Sequence, residues 1–423
     1  MTPRRRGFVH ASAWGLIDQS LISAANFATM VILARALRPG AFGTFVLAYS
    51  AVLVAHGIQT ALITQPHNVV GQQRRLGHEH AYRIYTTATA ANQVAFSACL
   101  AALTLAAAFA LLPFDTAVAH VLAALSVAFF AWQIQEFGRR VLYTEQRVSA
   151  SFASDLISYA GQVAVLLLLG RVDLLSPSTA LYAIAATSFV GGAFAFWKVR
   201  NSLGRPLHWN AARENIAFGK WLGAAFTASW LSTQLYVFLT AALLGTTAAG
   251  GLRASHVVLG PLNTFFLFLV TILPIRFAAT RERQGDQALH AELRLSYLVS
   301  APPVIVICAL VALFAEPLLR LFYGETYASY ANVVVLLAMY SLVLHVVYLL
   351  TAALHAKRLT RPLFSGNVVA ALVGIALGWP LITLLGVAGA AVGMILGAVV
   401  LVFAFCRAYK QAPRLLSSWH GKK

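Results

Sequence analysis

Leu37-Arg-Pro-Gly-Ala-Phe-Gly43 stands between two long apolar blocks, residues 12–36 and 43–65. It is short and closes the first block with a cation. Its Pro39, Gly40 and Gly43 lie where one helix must stop and another begin. Each block has roughly the 20 residues that an α-helix needs to cross about 30 Å of hydrocarbon. Two such helices joined by a few residues make a helical hairpin across a membrane. At a shift of 207 residues, Leu244-Gly-Thr-Thr-Ala-Ala-Gly250 has the same form, and the same shift places Trp14 on Trp221. The spacing predicts two halves of one design.

Working outward, apolar blocks give spans at about 12–36, 43–65, 84–112, 117–137, 152–170, 177–197, 220–244, 252–275, 294–314, 330–353, 363–384 and 387–407. The expected fold is an all-α polytopic membrane protein of about twelve transmembrane helices in two six-helix lobes. The N-terminal lobe covers 1–200, a cytoplasmic linker 201–219, and the C-terminal lobe 220–423, ending in a short basic cytoplasmic tail. Composition agrees. Of 423 residues, 60% are hydrophobic and 10% charged, against about 25% charged in soluble domains. Mean hydropathy is +0.75. No alternating ten-residue pattern suggests a membrane barrel.

Charge sets the orientation. The formal net charge is +18, but no basic stretch is interleaved with aromatics in a polar domain, so no nucleic-acid partner is expected. With the N-terminus inside, 26 of the 31 Lys and Arg residues fall in cytoplasmic segments, and only Arg35, Arg38, Arg171, Arg253 and Arg320 fall outside. This split follows the positive-inside rule. It places both termini in the cytoplasm, and the expected location is a bacterial cytoplasmic (inner) membrane. Arg4, Arg5 and Arg6 precede an apolar block too long for a signal h-region, which reads as a retained first span. Cys99, Cys308 and Cys406 lie far apart inside apolar blocks and act as core fillers. The loops are too short for a domain with its own core. P-loop, His-Glu-x-x-His and Gly-x-Ser-x-Gly motifs are absent. Two six-span halves in the same orientation are a common transporter plan, so the chain reads as a transporter and not an enzyme, with no resident cofactor or metal.

Several stretches in order resemble one family. Ile32-Leu-Ala-Arg-Ala-Leu-Arg-Pro-Gly-Ala-Phe-Gly43 is similar to the first span junction of the polysaccharide (O-antigen) flippases. These form the Wzx-like, PST branch of the multidrug/oligosaccharidyl-lipid/polysaccharide (MOP) exporter superfamily, which also holds the MATE transporters. Phe137-Gly-Arg-Arg-Val-Leu-Tyr143 resembles the family's fourth inside loop, and Phe218-Gly-Lys-Trp221 the start of the second lobe. Leu244 to Gly250 resembles that lobe's repeat junction. Pro317-Leu-Leu-Arg-Leu-Phe-Tyr-Gly324 and Gly386-Val-Ala-Gly-Ala-Ala391 resemble its late outer loops. The likeness covers nearly the whole chain. It departs at His56-Gly57, where many relatives carry an acid before the glycine, and at Gln234-Leu-Tyr236, near a seventh-span aspartate of many relatives.

The resemblance implies a flippase. It would carry a polyprenyl-diphosphate-linked oligosaccharide from the cytoplasmic to the outer leaflet, by alternating access, for lipopolysaccharide or exopolysaccharide synthesis. Its implied partners are that lipid-linked oligosaccharide, membrane lipids, and the polysaccharide polymerase and glycosyltransferases of the same pathway. Such a carrier needs a wet cavity, cations for the diphosphate, and a lateral opening for the tail.

Candidates follow from the cost of placing polar groups in a membrane. Arg253, past the Gly250-Gly251 turn, can hold phosphate oxygens with its guanidinium fork or snorkel at the interface. Arg35 is at the equivalent place in span one and reads as a helix-end cation. Asp18, Gln19 and Asn26 make span one unusually polar. Asp18 and Asn26 lie within about 80° of each other around the helix, a cavity-facing stripe. Asp18 reads as a proton or sodium carrier, an acceptor for sugar hydroxyls, or an acid paired with a neighbouring helix. His56 and Gln59 in span two, His256 and Asn263 in span eight, and His345 in span ten are polar groups for sugar or proton, or packing residues. Gly389, Gly393 and Gly397 form a helix-packing face. H⁺ or Na⁺ coupling is open. Two other functions compete. A multidrug cation antiporter of the same superfamily needs acids in a compact cavity, and only one acid reads as well buried. A polysaccharide polymerase or ligase needs a substantial outer loop.

Overall fold

The computed structural model describes the backbone at residues 3–204, 213–217, 219–220, 223, 235–357 and 359–420, and among these residues there is no strand. Much of the expected linker, the first half of the expected seventh span, Phe218, Trp221 and Gln234 lie outside the described residues. The chain divides into two compact units, Met1–Phe226 and Thr227–Lys423.

The first unit holds α1 (Pro3–Ala36), α2 (Pro39–Gly77), α3 (Glu79–Leu111), α4 (Thr116–Thr144), α5 (Val148–Arg171) and α6 (Pro177–Val199). The central helix is α4, packed against α3 and α6 and touching α2 and α5. The second unit holds α7 (Leu235–Leu244), α8 (Thr246–Val257), α9 (Gly260–Leu313), α10 (Ala315–Tyr323), α11 (Ala331–Ala356), α12 (Thr360–Leu385) and α13 (Val387–His420). There α11 packs on α9 and α13, and α12 on α13. Ten helices among the described residues are long and apolar enough to cross a membrane. Large apolar side chains such as Phe109, Leu313 and Phe403 face outward, while Gln59, Gln93, Gln133 and Asp155 are fully buried. A water-soluble fold has the opposite arrangement. The chain is a multi-pass membrane protein.

The two repeat junctions turn by different means. At the first, Arg38 is extended (φ −62°, ψ 148°) and Pro39 starts α2 with φ already set for helix. At the second, Gly245 holds φ 88°, ψ 170°, a region essentially closed to other residues.

Four expected boundaries move. Span two runs on to Gly77 as α2, with wide π-turns at Thr60–Thr64 and His67–Gly71 on either side of Pro66. Proline removes a helix hydrogen bond and crowds the carbonyl four residues back, and widened turns absorb that crowding. Span four continues to Thr144, so Phe137–Tyr143 is helix and not an inside loop. Expected span eight is broken after Val257, because Pro261 starts a new helix, α9. The 54-residue α9 is two helices joined at Gly285 (φ 82°, ψ −174°). Glu292 takes a hydrogen bond from Arg276 and another from Thr280 Oγ1 at 2.6 Å. A straight helix would separate Thr280 from Glu292 by about 18 Å, so the chain doubles back at Gly285. The expected eighth and ninth spans are the arms of this hairpin.

Small residues set how closely helices approach. In α6, Gly192 leaves only enough room for the Gln135 backbone of α4, 3.3 Å from where a Cβ would stand, and Gly191 does the same for Ser154 O of α5 at 2.8 Å. In α13, a side chain at Gly389 would meet the Leu381 backbone, and one at Gly393 the Tyr236 ring. The expected glycine face of the last span is therefore a packing face at these two positions.

Candidate functional site: a buried ion cluster

Where α1, α4 and α5 of the first unit meet, the sequence candidate Asp18 joins charged side chains that sequence reading had placed in a loop or passed over. Arg139 of α4 is 6% exposed and lies among three carboxylates. Its Nη2 donates to Asp18 Oδ2 at 3.0 Å, its Nη1 to Glu136 Oε2 at 3.0 Å, and its Nε to Asp155 Oδ2 at 2.5 Å. Arg140 Nε donates to Glu136 Oε1 at 2.6 Å. Tyr143 OH donates to Asp18 Oδ2 at 2.5 Å, and Gln135 Nε2 to Asp155 Oδ1 at 2.9 Å. Helical spacing builds half of the cluster, because Glu136, Arg139 and Arg140 share one face at i, i+3 and i+4. Gly191 and Gly192 build the rest by letting α4 and α5 close on α6, tied by Ser154 Oγ to Gly191 O at 2.9 Å.

Desolvating an ion costs several kcal/mol, and only well-placed partners offset it. Arg139 has them, since its guanidinium fork meets three acids from three helices. The balance is uneven, with three carboxylates (Asp18, Glu136, Asp155) facing two guanidiniums (Arg139, Arg140). Two acceptor oxygens in the cluster, Asp18 Oδ1 and Gln135 Oε1, are buried without a hydrogen-bond partner. A bound water or ion would supply the missing partner for such acceptors.

A neutral polar tract lies on the neighbouring faces of α2, α3 and α4. Gln59 Nε2 donates to Gln93 Oε1 at 2.9 Å and to Gln133 O at 2.7 Å, and Gln93 Nε2 donates to Ser97 Oγ at 2.8 Å. His56 meets Trp132 edge-on, with centroids 5.0 Å apart. Gln59 Oε1 and both amide atoms of Gln133 are buried without partners.

The candidates from sequence separate into these groups. Asp18 sits in the ion cluster. Gln19 is half-buried outside it, and Asn26 accepts a hydrogen bond from Tyr49 OH at 3.1 Å, joining α1 to α2. Arg35 is exposed near the end of α1. His56 and Gln59 belong to the neutral tract. In the second unit Arg253 is half-buried on α8 and interacts electrostatically with His256 and with Tyr323. Asn263 is exposed on α9. Gly251 lies flat against the Tyr330 ring, so α8 and the Tyr323–Tyr330 segment are in close contact around Arg253.

Sequence reading missed Glu136, Arg139 and Asp155 as site residues. Their signals were present: an acid three and four residues before a pair of arginines, and an acid inside the expected fifth span. The expectation of one well-buried acid is corrected, because Asp18, Glu136, Glu145 and Asp155 are all buried.

Comparison with known proteins places the chain and its fold. The sequence matches the family described as "Polysaccharide biosynthesis protein" over residues 32–332, more than half of the chain. The chain belongs to that family. Its fold is that of the MATE/MOP transporters. It is similar to an inward-facing multidrug resistance MATE family transporter of the MOP superfamily, with TM-score 0.75, 10% identity, and 95% of this chain and 98% of the other covered. It is similar also to a MOP superfamily transporter from Pyrococcus furiosus (TM-score 0.67, 12% identity, 97% and 96% covered). A Vibrio cholerae MATE transporter has TM-score 0.67 at 15% identity, with 97% of each chain covered. No curated protein matches.

Proposed function

We propose that the protein is a flippase. It carries a polyprenyl-diphosphate-linked oligosaccharide from the cytoplasmic to the outer leaflet of a bacterial inner membrane, by alternating access, for cell-surface polysaccharide synthesis. The observation that carries the reading is the pairing of a polysaccharide-biosynthesis family with a transporter fold. An enzyme reading would need a catalytic domain or a long outer loop, and among the described residues the helices of 3–204 and those of 235–420 are joined by short segments.

Arg253 serves as the anion site for the diphosphate, with the Tyr323 phenol beside it. Asp18 and its cluster serve as the coupling device. Three acids against two arginines leave one carboxylate charge unbalanced, a place for one proton or sodium ion, and the cluster is too closely buried for a cationic drug. This balance favours the flippase over the antiporter, although the buried acids outnumber those expected.

The test compares flipping of a fluorescent polyprenyl-diphosphate oligosaccharide by wild type, Arg253→Ala and Arg253→Lys in proteoliposomes. The expected order is wild type, then Arg253→Lys, then Arg253→Ala near background, each variant remaining monodisperse. An Arg253→Ala protein as fast as wild type would remove Arg253 from the substrate path.

A further inference from the structure

The second arm of the α9 hairpin and α11 leave a cleft of about 270 Å³ within the second unit. Its rim carries His290, Arg294 and Tyr297 of α9, and its floor is Val346, Leu349 and Leu350 of α11. Arg294 is the last charged residue before the uncharged run 295–313, and on α11 no charge occurs between 331 and 356. The cleft thus lies where hydrocarbon begins. Arg294 is nine residues beyond the Gly285 turn, about 13 Å along the helix. Val346 to Leu350 lie a similar distance, about 9–15 Å, from the end of α11 at Ala356.

Charges near the hairpin turn are distributed unevenly. Glu292 is occupied by Arg276 and Thr280. Asp286 is occupied by Arg281 Nε at 2.7 Å and Lys357 Nζ at 2.7 Å. Arg294 has no carboxylate partner among the described residues. Its side chain is exposed at the mouth of a cleft whose lining is almost wholly apolar. The walls are fixed in place. Tyr297 stacks on His345 with centroids 5.6 Å apart, and His345 Nε2 is held by Ser300 Oγ at 2.7 Å. On the other side His290 stacks on Tyr409 at 6.0 Å. Beside the cleft, Leu295, Leu298 and Val299 face outward at 53–67% exposure, a surface for acyl chains.

We propose that an anionic glycerophospholipid binds here, with its phosphate on Arg294 at the mouth of this cleft. The Arg294 guanidinium pairs with the phosphate outside the apolar interior. The glycerol carbons and first methylenes rest on Val346, Leu349 and Leu350. The volume is several times the roughly 30 Å³ of a liquid water, enough for the glycerol and first methylenes. Zwitterionic lipid fits the floor equally well but adds an ammonium beside Arg294. The site therefore selects by charge.

The test is native mass spectrometry of the detergent-purified full chain, titrated with dioleoyl phosphatidylglycerol, dioleoyl phosphatidylcholine or inorganic phosphate. The most tightly retained lipid should be phosphatidylglycerol, preferred over phosphatidylcholine by about fivefold, the scale of one interfacial cation. Arg294→Gln should erase the preference and Arg294→Lys should keep it. Val346→Trp, which fills the cleft, should lose the tight lipid altogether. Arg320→Gln, whose arginine pairs with Glu316 and Glu325, should bind as wild type does. Equal retention of the two lipids, an unchanged preference in Arg294→Gln, or displacement of the lipid by equimolar inorganic phosphate would each overturn the assignment. Monodispersity on size exclusion accompanies every variant, and the Lys form separates loss of charge from loss of fold.

Discussion

Arg139 is the residue on which the first unit turns. Removing one partner of a buried ion network leaves the others desolvated and unpaired, a loss of about 3–5 kcal/mol. Arg139→Ala leaves Asp18 and Asp155 in that state, with Glu136 still held by Arg140. It should lower the melting temperature in detergent sharply or prevent recovery of folded protein. Arg139→Lys should fall between, because an ammonium cannot repeat a fork that reaches three acids on three helices. Asp18→Asn has the opposite sign of effect on balance. It leaves two carboxylates against two guanidiniums, with Tyr143 still able to donate to the amide oxygen. Its stability cost should be smaller than that of Arg139→Ala, while proton or sodium movement coupled to transport should disappear. A melt as low as that of Arg139→Ala would make Asp18 a purely structural partner. Asp18 was legible in the sequence, since an acid inside an apolar block stands out. Arg139 was not, because two arginines at the end of an apolar run read as a loop by the positive-inside rule. Only the three-dimensional approach of α1 and α5 shows that Arg139 is inside.

At the scale of elements, close approach and reversal depend on glycine at a few positions. Gly192 stands against the Gln135 backbone, so Gly192→Leu would push α6 from α4 and pull Gln135 off Asp155. Overpacking of this kind costs about 1–3 kcal/mol, readable as a lower melting temperature. Gly285 turns the α9 hairpin in a conformation nearly restricted to glycine, and Gly285→Ala should cost about 1–3 kcal/mol. An unchanged melt would mean the turn is made without that conformation. The helices were readable from apolar blocks, and their ends less so. Hydropathy marks where a segment must leave lipid, while helices continue past that point whenever their polar ends find partners. Thr144 ends α4 seven residues beyond the expected boundary because Glu136, Arg139 and Arg140 satisfy one another within the helix. The reversal between the expected eighth and ninth spans was legible, but not that both arms stay helical up to a turn at Gly285.

For the whole molecule, the family and the fold class were legible from ordered short motifs and the two similar junctions, and the comparisons agree with both. Orientation rests on the distribution of Lys and Arg. In a cysteine-free background, a cysteine at Arg283 should react with an impermeant maleimide only from the cytoplasmic side, and one at Glu325 only from outside. Reversed labelling would invert the proposed direction of transport. The claim that joins these scales is that a polysaccharide-family chain on a transporter fold moves a lipid-linked sugar. The most direct test uses purified wild-type protein in proteoliposomes, with a fluorescent polyprenyl-diphosphate oligosaccharide and a cationic dye measured side by side. The account predicts protein-dependent flipping of the lipid-linked sugar and no dye export. Dye export against a proton gradient, with the lipid-linked sugars left in place, would contradict it.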